Sequence, residues 1–159
     1  MALFNERKGM ENRVKEAVNT ALEQLLRDDD YLLRNDANER SISHRLATYL
    51  DPLFPEWNVD CEYNRNHDDP KRLNIQSRSV DSDDIQATTV YPDIIIHKRD
   101  TNKNLLVIEM KKITSSEGDD YDLGKLAAFK QQLDYKFSAF LKLRVGNNPG
   151  VDNLSWLDD

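Results

Sequence analysis

Cysteine is almost missing from this chain. Cys61 is the single one in 159 residues, so no disulfide can form within the chain. It sits among alternating apolar residues and reads as a small core hydrophobe. No apolar run is long enough to span a bilayer. The opening residues, Met1 to Lys8, lack the apolar stretch of a signal peptide. The expected setting is therefore the cytoplasm, away from membranes. There is no Gly-rich phosphate loop, since Gly118 and Gly124 fall outside any such pattern. His44, His67 and His97 are scattered, and no Cys/His cluster points to zinc. An excess of positive charge is also missing. The net charge of −7 argues against tight, non-specific binding to nucleic acid, which needs clustered Lys and Arg.

That charge is an average over distinct groups. Acidic residues gather at Asp28-Asp29-Asp30, at Asp81 with Asp83-Asp84, at Asp119-Asp120 and at Asp158-Asp159. Basic residues gather at Lys71-Arg72, Lys98-Arg99 and Lys111-Lys112. Bound cations that screen the carboxylates would let such a protein meet a polyanion locally. Hydrophobic content of 38% and charged content of 32% indicate one globular domain over 1–159.

Along the chain, residues 10–28 repeat Val14, Val18, Ala21, Leu22 and Leu25 at helical spacing. A second helix is expected over 37–50, with Asp36 as N-cap and Asp51-Pro52 as its stop. Residues 58–64 alternate like a half-buried strand. Residues 65–88 are polar and read as a long loop or insertion, in which Lys71, Arg72 and Arg78 are solvated or grip a nucleic-acid backbone. Residues 89–98 and 104–111 form the most apolar block, joined by turn residues 99–103. Apolar side chains on both faces of each run imply a sheet covered on both sides. A loop over 112–121, a helix over 122–134 and a last strand over 137–145 follow, with regular structure ending at Gly146. The expected order is α-α-β-β-β-α-β, an α/β fold with a sheet flanked by helices.

A hairpin centred on Thr101 sets Asp93 opposite Glu109, with Cβ atoms roughly 4.5–5.5 Å apart. Glu109 and Lys111 share one face, and Lys111 lies diagonal to Asp93. Two like charges opposed in an apolar sheet are costly. Either a hard divalent cation bridges them or Lys111 neutralises them. Glu39 shares the apolar face of Ile42 and Leu46 on the second helix. It is also three residues beyond Asp36, the spacing of a capping box, so capping is its simplest role.

Tyr91-Pro92-Asp93, followed by Ile108-Glu109-Met110-Lys111, resembles the signature of the PD-(D/E)XK nuclease superfamily, the restriction-endonuclease-like fold. The likeness covers roughly 36–145 and includes an αβββαβ order, a preceding helix bearing Glu39 and a following helix with Lys125, Gln131 and Gln132. It implies a mixed central sheet flanked by helices, with 36–145 as the core and 10–34 as an N-terminal helical addition. It implies that Asp93, Glu109 and the backbone carbonyl of Met110 ligate Mg²⁺ or Mn²⁺, with Glu39 completing the shell. It implies that Lys111 orients or activates the attacking water and counters charge on the phosphate. Lys125, with Lys112 and Gln131, would contact nucleic acid, DNA ahead of RNA.

The chemistry fits those roles, because phosphodiester hydrolysis needs a nucleophile made at neutral pH and a stabiliser of negative charge. A rival reading is a catalytically silent nucleic-acid-binding or assembly module on the same fold. A third has the helix over 10–28 docking a partner protein or a second copy as a homodimer; an exposed apolar stripe would favour this and burial would oppose it.

Overall fold

The computed structural model describes residues 2–63 and 91–157, together with the backbone of 72–76 and 85–89. Three helices come first: α1 (Ala2–Asp28), α2 (Asp30–Arg34) and α3 (Glu39–Leu50). A single 3-10 turn at Asp51–Leu53, carrying Pro52, stops α3 as expected. Strands β1 (Asn58–Cys61), β2 (Arg72–Gln76), β3 (Ile85–Thr89), β4 (Ile94–His97) and β5 (Asn104–Lys112) follow. Helix α4 (Asp120–Leu133) then leads into β6 (Phe137–Arg144) and β7 (Gly150–Trp156).

The main sheet has the order β1-β4-β5-β6-β7, and β2 pairs only with β3. β1, β4 and β5 are successively antiparallel, β5 and β6 are parallel, and β7 returns antiparallel to β6. The parallel step needs a crossover, which α4 supplies. The fold is thus α/β with a mixed sheet. Both faces of the sheet are covered, as the unbroken apolar runs require. Ile94, Ile96, Leu106, Ile108 and Leu141 pack with α1 and α3, through Leu25, Ile42 and Leu46. Ile95, Val107 and Phe140 pack on the other face with Leu126 and Phe129 of α4. No helix among the described residues is long and apolar enough to cross a membrane.

Several expectations from the sequence need correction. Helix α1 begins at Ala2 rather than near residue 10. Its first turns are exposed, so they lack the apolar periodicity that betrays a packed helix. The polar break after it contains α2, whose Leu33 is fully buried. The run over 89–98 is split, with Thr89 ending β3 and the sheet strand confined to Ile94–His97. Part of the stretch read as a loop, 65–88, is the β2–β3 hairpin. Regular structure does not end at Gly146, because β7 was missed. It is an edge strand, with Asp152 and Asn153 exposed, so its apolar residues are too few to announce it. The turn before it uses Gly146 at φ 90°, and the Arg144 guanidinium clips its backbone by donating to Val151 O at 2.8 Å.

The apolar stripe of 10–28 (Val14, Val18, Ala21, Leu22, Leu25) is buried in the main core, which counts against docking through that stripe.

Candidate metal centre

The site is built on the ends of β4 and β5. Ile94 pairs with Ile108, Ile95 with Val107 and Ile96 with Leu106. A shift after Ile96 brings His97 opposite Asn104, so the irregularity lies at the turn and the other end keeps its register. Continuing that register past Ile94 puts Asp93 opposite Glu109 and Pro92 opposite Met110. Proline has no N–H to offer the Met110 backbone. The Met110 N–H donates to the Asp93 side chain, at Oδ2, over 2.8 Å. This bond fixes the Asp93 carboxyl at the end of the ladder. Residues in an antiparallel ladder direct N–H and C=O to the same side. In the continued register the Met110 carbonyl would be directed at Pro92, which has no N–H to donate.

Glu109 is 1% exposed. Burial pushes its carboxyl well above the usual range, and the adjacent Asp93 carboxyl adds to this. Asp93 is raised too, chiefly by burial, with its hydrogen bonds to Glu109 and the Met110 amide acting against the shift. The side chain answering this pair is Lys125 of α4, with Nζ at 3.1 Å from Glu109 Oε1. Its Nζ also donates to Tyr91 O at 2.9 Å. Burial opposes the charge on Lys125, but Glu109 and Asp93 outweigh it and raise its pKa. The approach to Glu109 Oε1 lacks hydrogen-bond geometry, so that fully buried oxygen has a charge partner but no donor.

Lys111 lies on the same face of β5, two residues beyond Glu109, and is 5% exposed. Its ammonium is directed to the start of α4. It donates to Asp122 Oδ2 and to Gly118 O, each at 2.8 Å, and Asp119 Oδ1 lies at 3.8 Å. The neutralising partner of the carboxyl pair is thus Lys125, not Lys111. Asp122 and Asp119 escaped the sequence reading because acidic residues at a helix start are ordinary. The signal available was the Asp122-x-x-Lys125 spacing, which aims an anion and a cation from one helix face.

Glu39 is the first residue of α3, and Asn38 is the N-cap, accepting from Ser41 N at 2.7 Å. The capping box from Asp36 to Glu39 is therefore incorrect. Asp36 is tied elsewhere, at 2.9 Å from Lys112 Nζ and within reach of Thr114 Oγ1 at 3.3 Å. Lys112 also donates to Ala37 O at 3.1 Å. Lys112 thereby staples the loop before α3 to the end of β5, which brings Glu39 over the site. Glu39 is half-buried, and its pKa is raised by burial first and by Asp93 second. Asp93 and Glu39 thus share one electrostatic environment. Among the described residues, no three His, Cys, Asp or Glu side chains are gathered closely enough to hold an ion by themselves. Gln131 is exposed and, six residues past Lys125, about 120° around the helix from it.

The donors present fit a hard divalent cation. All are oxygens, as Mg²⁺ and Mn²⁺ prefer. Two of them are carboxyls opposed in a buried place, where like charges otherwise cost stability. Glu109 Oε1 has a charge partner but no hydrogen-bond donor.

Other candidates resolve structurally. His97 is buried, with Nε2 at 2.7 Å from Asp60 Oδ2 and its ring beside Tyr63. His44 is exposed. Cys61 is partly buried, its thiol donates to Ser43 O at 3.7 Å, and burial pushes it up to about 11. His67, Lys71 and Arg78 lie outside the described residues, as does the side chain of Arg72.

No family model matches the chain, and no curated protein or solved structure matches it either.

Proposed function

We propose that this protein is a divalent-metal-dependent nuclease that hydrolyses phosphodiester bonds in DNA, on a restriction-endonuclease-like core. The observation that carries the reading is the opposition of two carboxyl groups, the buried Glu109 and the half-buried Asp93, at the end of the β4–β5 ladder, with the buried Lys111 and the half-buried Lys125 around them. Support for the core comes from the order α3-β1-β4-β5-α4-β6, which reproduces the αβββαβ sequence of the family once the β2–β3 hairpin is set aside.

Asp93, Glu109 and the Met110 carbonyl would hold Mg²⁺ or Mn²⁺, with Glu39 joining directly or through water. The ion supplies a lowered pKa for a water and a counter-charge for the phosphate. Lys125 balances the carboxyl pair and keeps the Tyr91 carbonyl in place. Lys111, released from Asp122, would present its ammonium to the phosphoryl oxygens, where charge develops during attack. Lys112 acts on position, through the loop that carries Glu39.

The test is cleavage of DNA in a Mg²⁺ or Mn²⁺ titration by the wild type, Asp93→Ala and Lys111→Ala. Loss of activity in Asp93→Ala and a fall of about 100- to 1000-fold in Lys111→Ala are expected. Equal activity in all three would remove the site.

One observation favours a second reading, a silent binding module on this fold. Lys111 is fully engaged by Asp122 and Gly118 O, which is also how a structural lysine is satisfied. Metal-independent DNA binding without cutting at any metal concentration would select that reading.

A further inference from the structure

A group of cations lies at the pole of the sheet away from the carboxyl pair. Two small cavities open there. One, about 200 Å³, is lined by Lys15 of α1, Trp156 of β7 and Ser138 of β6, with Arg7, Lys130 and Lys136 around it. The other, about 320 Å³, lies beside the β4–β5 turn and is lined by Trp57, Lys98, Lys103 and, again, Lys136. Lys136 is a wall of both, so the two form one belt. The belt carries six cations against two acids, Glu11 and Asp134. The whole chain carries net −7. It is at the start of β5, whereas Glu109 is near the end. Five residues separate Asn104 from Glu109, about 17 Å along a strand.

Three features favour a polynucleotide strand over a generic counter-ion patch. Each cavity pairs a lysine with an indole: Lys98 Nζ is 5.0 Å from the Trp57 ring centre, and Lys15 Nζ is 5.5 Å from that of Trp156. Alternation of cations with aromatic faces is what tracks a backbone while stacking its bases. Ser138 is 1% exposed, and its Oγ has no hydrogen-bond partner although it lines a cavity ringed by cations. A hydroxyl can donate to a phosphate oxygen there. Both cavities lie at or below the low end of the ~300–1,000 Å³ range of small-molecule sites. Each therefore suits one phosphate or base of a longer polymer and not an enclosed cofactor.

We propose that this basic belt, centred on Lys136 between Trp57 and Trp156, binds single-stranded nucleic acid through its phosphates and bases. The inference needs neither the metal nor cleavage, so it stands or falls separately from the carboxylate site.

The chain's two tryptophans line one cavity each, which makes intrinsic fluorescence the readout. The full chain is titrated with single-stranded oligothymidylate in the presence of chelator, so that nothing is cut. Quenching is expected, with affinity falling about 50-fold between 50 and 200 mM salt, as about four neutralised phosphates imply. Lys136→Glu should weaken binding by at least about 10-fold, and Lys136→Arg should retain it. Arg27→Glu makes the same charge change on an exposed part of α1 and should stay within about twofold. Far-UV circular dichroism checks that each variant folds. Wild-type affinity in Lys136→Glu would overturn the proposal. So would quenching by anionic phospholipid vesicles without quenching by the oligonucleotide.

Discussion

Lys125 Nζ lies 3.1 Å from Glu109 Oε1, so one ammonium answers two carboxyl groups, the buried Glu109 and the half-buried Asp93. Without a bound cation this leaves an excess negative charge in an apolar sheet. A carboxyl whose folded pKa is raised lowers stability at pH values above its unfolded pKa. Glu109→Gln should therefore stabilise the metal-free protein at neutral pH, by about 1 kcal/mol for each pKa unit of the upward shift, as read by chemical denaturation. The same variant should lose Mn²⁺ binding. Destabilisation together with unchanged Mn²⁺ affinity would show that Glu109 is a structural partner of Lys125 and nothing else.

Lys125 also competes with any cation at the pair. Lys125→Met removes that positive charge while keeping a long apolar stem. Mn²⁺ affinity should rise by about 10-fold, since the local repulsion of a unit charge is worth 1 kcal/mol or more at this range. Isothermal titration checks this. Weaker binding would mean that Lys125 organises the donors rather than opposing the ion.

At the opposite end of β4, Asp60 accepts from His97 and Arg99. Burial alone would raise its carboxyl, but those hydrogen bonds win and hold it at about 2. A depressed pKa contributes stability that is complete above the unfolded value, near 4, and is lost as pH falls through 2. The contribution is about 2 kcal/mol. Asp60→Asn should lower stability at pH 6 by this order, and its stability should change less than that of the wild type between pH 4 and 2. Urea denaturation across that range reads the difference.

Helix α1 belongs to the core from Val14 onward, and Leu25 is fully buried. Leu25→Ala should cost about 2–5 kcal/mol. A stability loss below about 1 kcal/mol would show that α1 is not an integral part of the core.

The most legible parts of the fold were those with strong local patterns. The β4 and β5 runs are apolar on both faces, and this double coverage fixed them as central strands. Their register was readable because a slip by one residue would move Asp93 and Glu109 to different faces. What stayed hidden depended on distant contacts. β7 is an edge strand whose residues are held by pairing with β6, and α2 is a single short helix anchored by Leu33. The helix cap moved from Asp36 to Asn38 because Lys112, far along the chain, captures Asp36. Which lysine faces the carboxyl pair was equally illegible. Lys111 is nearer in sequence, but α4 brings Asp122 to one lysine and Lys125 to the other carboxyl group.

Anomalous diffraction from crystals soaked in Mn²⁺ decides whether Asp93 and Glu109 together bind a divalent cation. One strong peak within coordination distance of both carboxyl groups is expected, and it should be absent in Asp93→Ala. A map with no peak there, and Lys125 still paired with Glu109, would rule the metal site out.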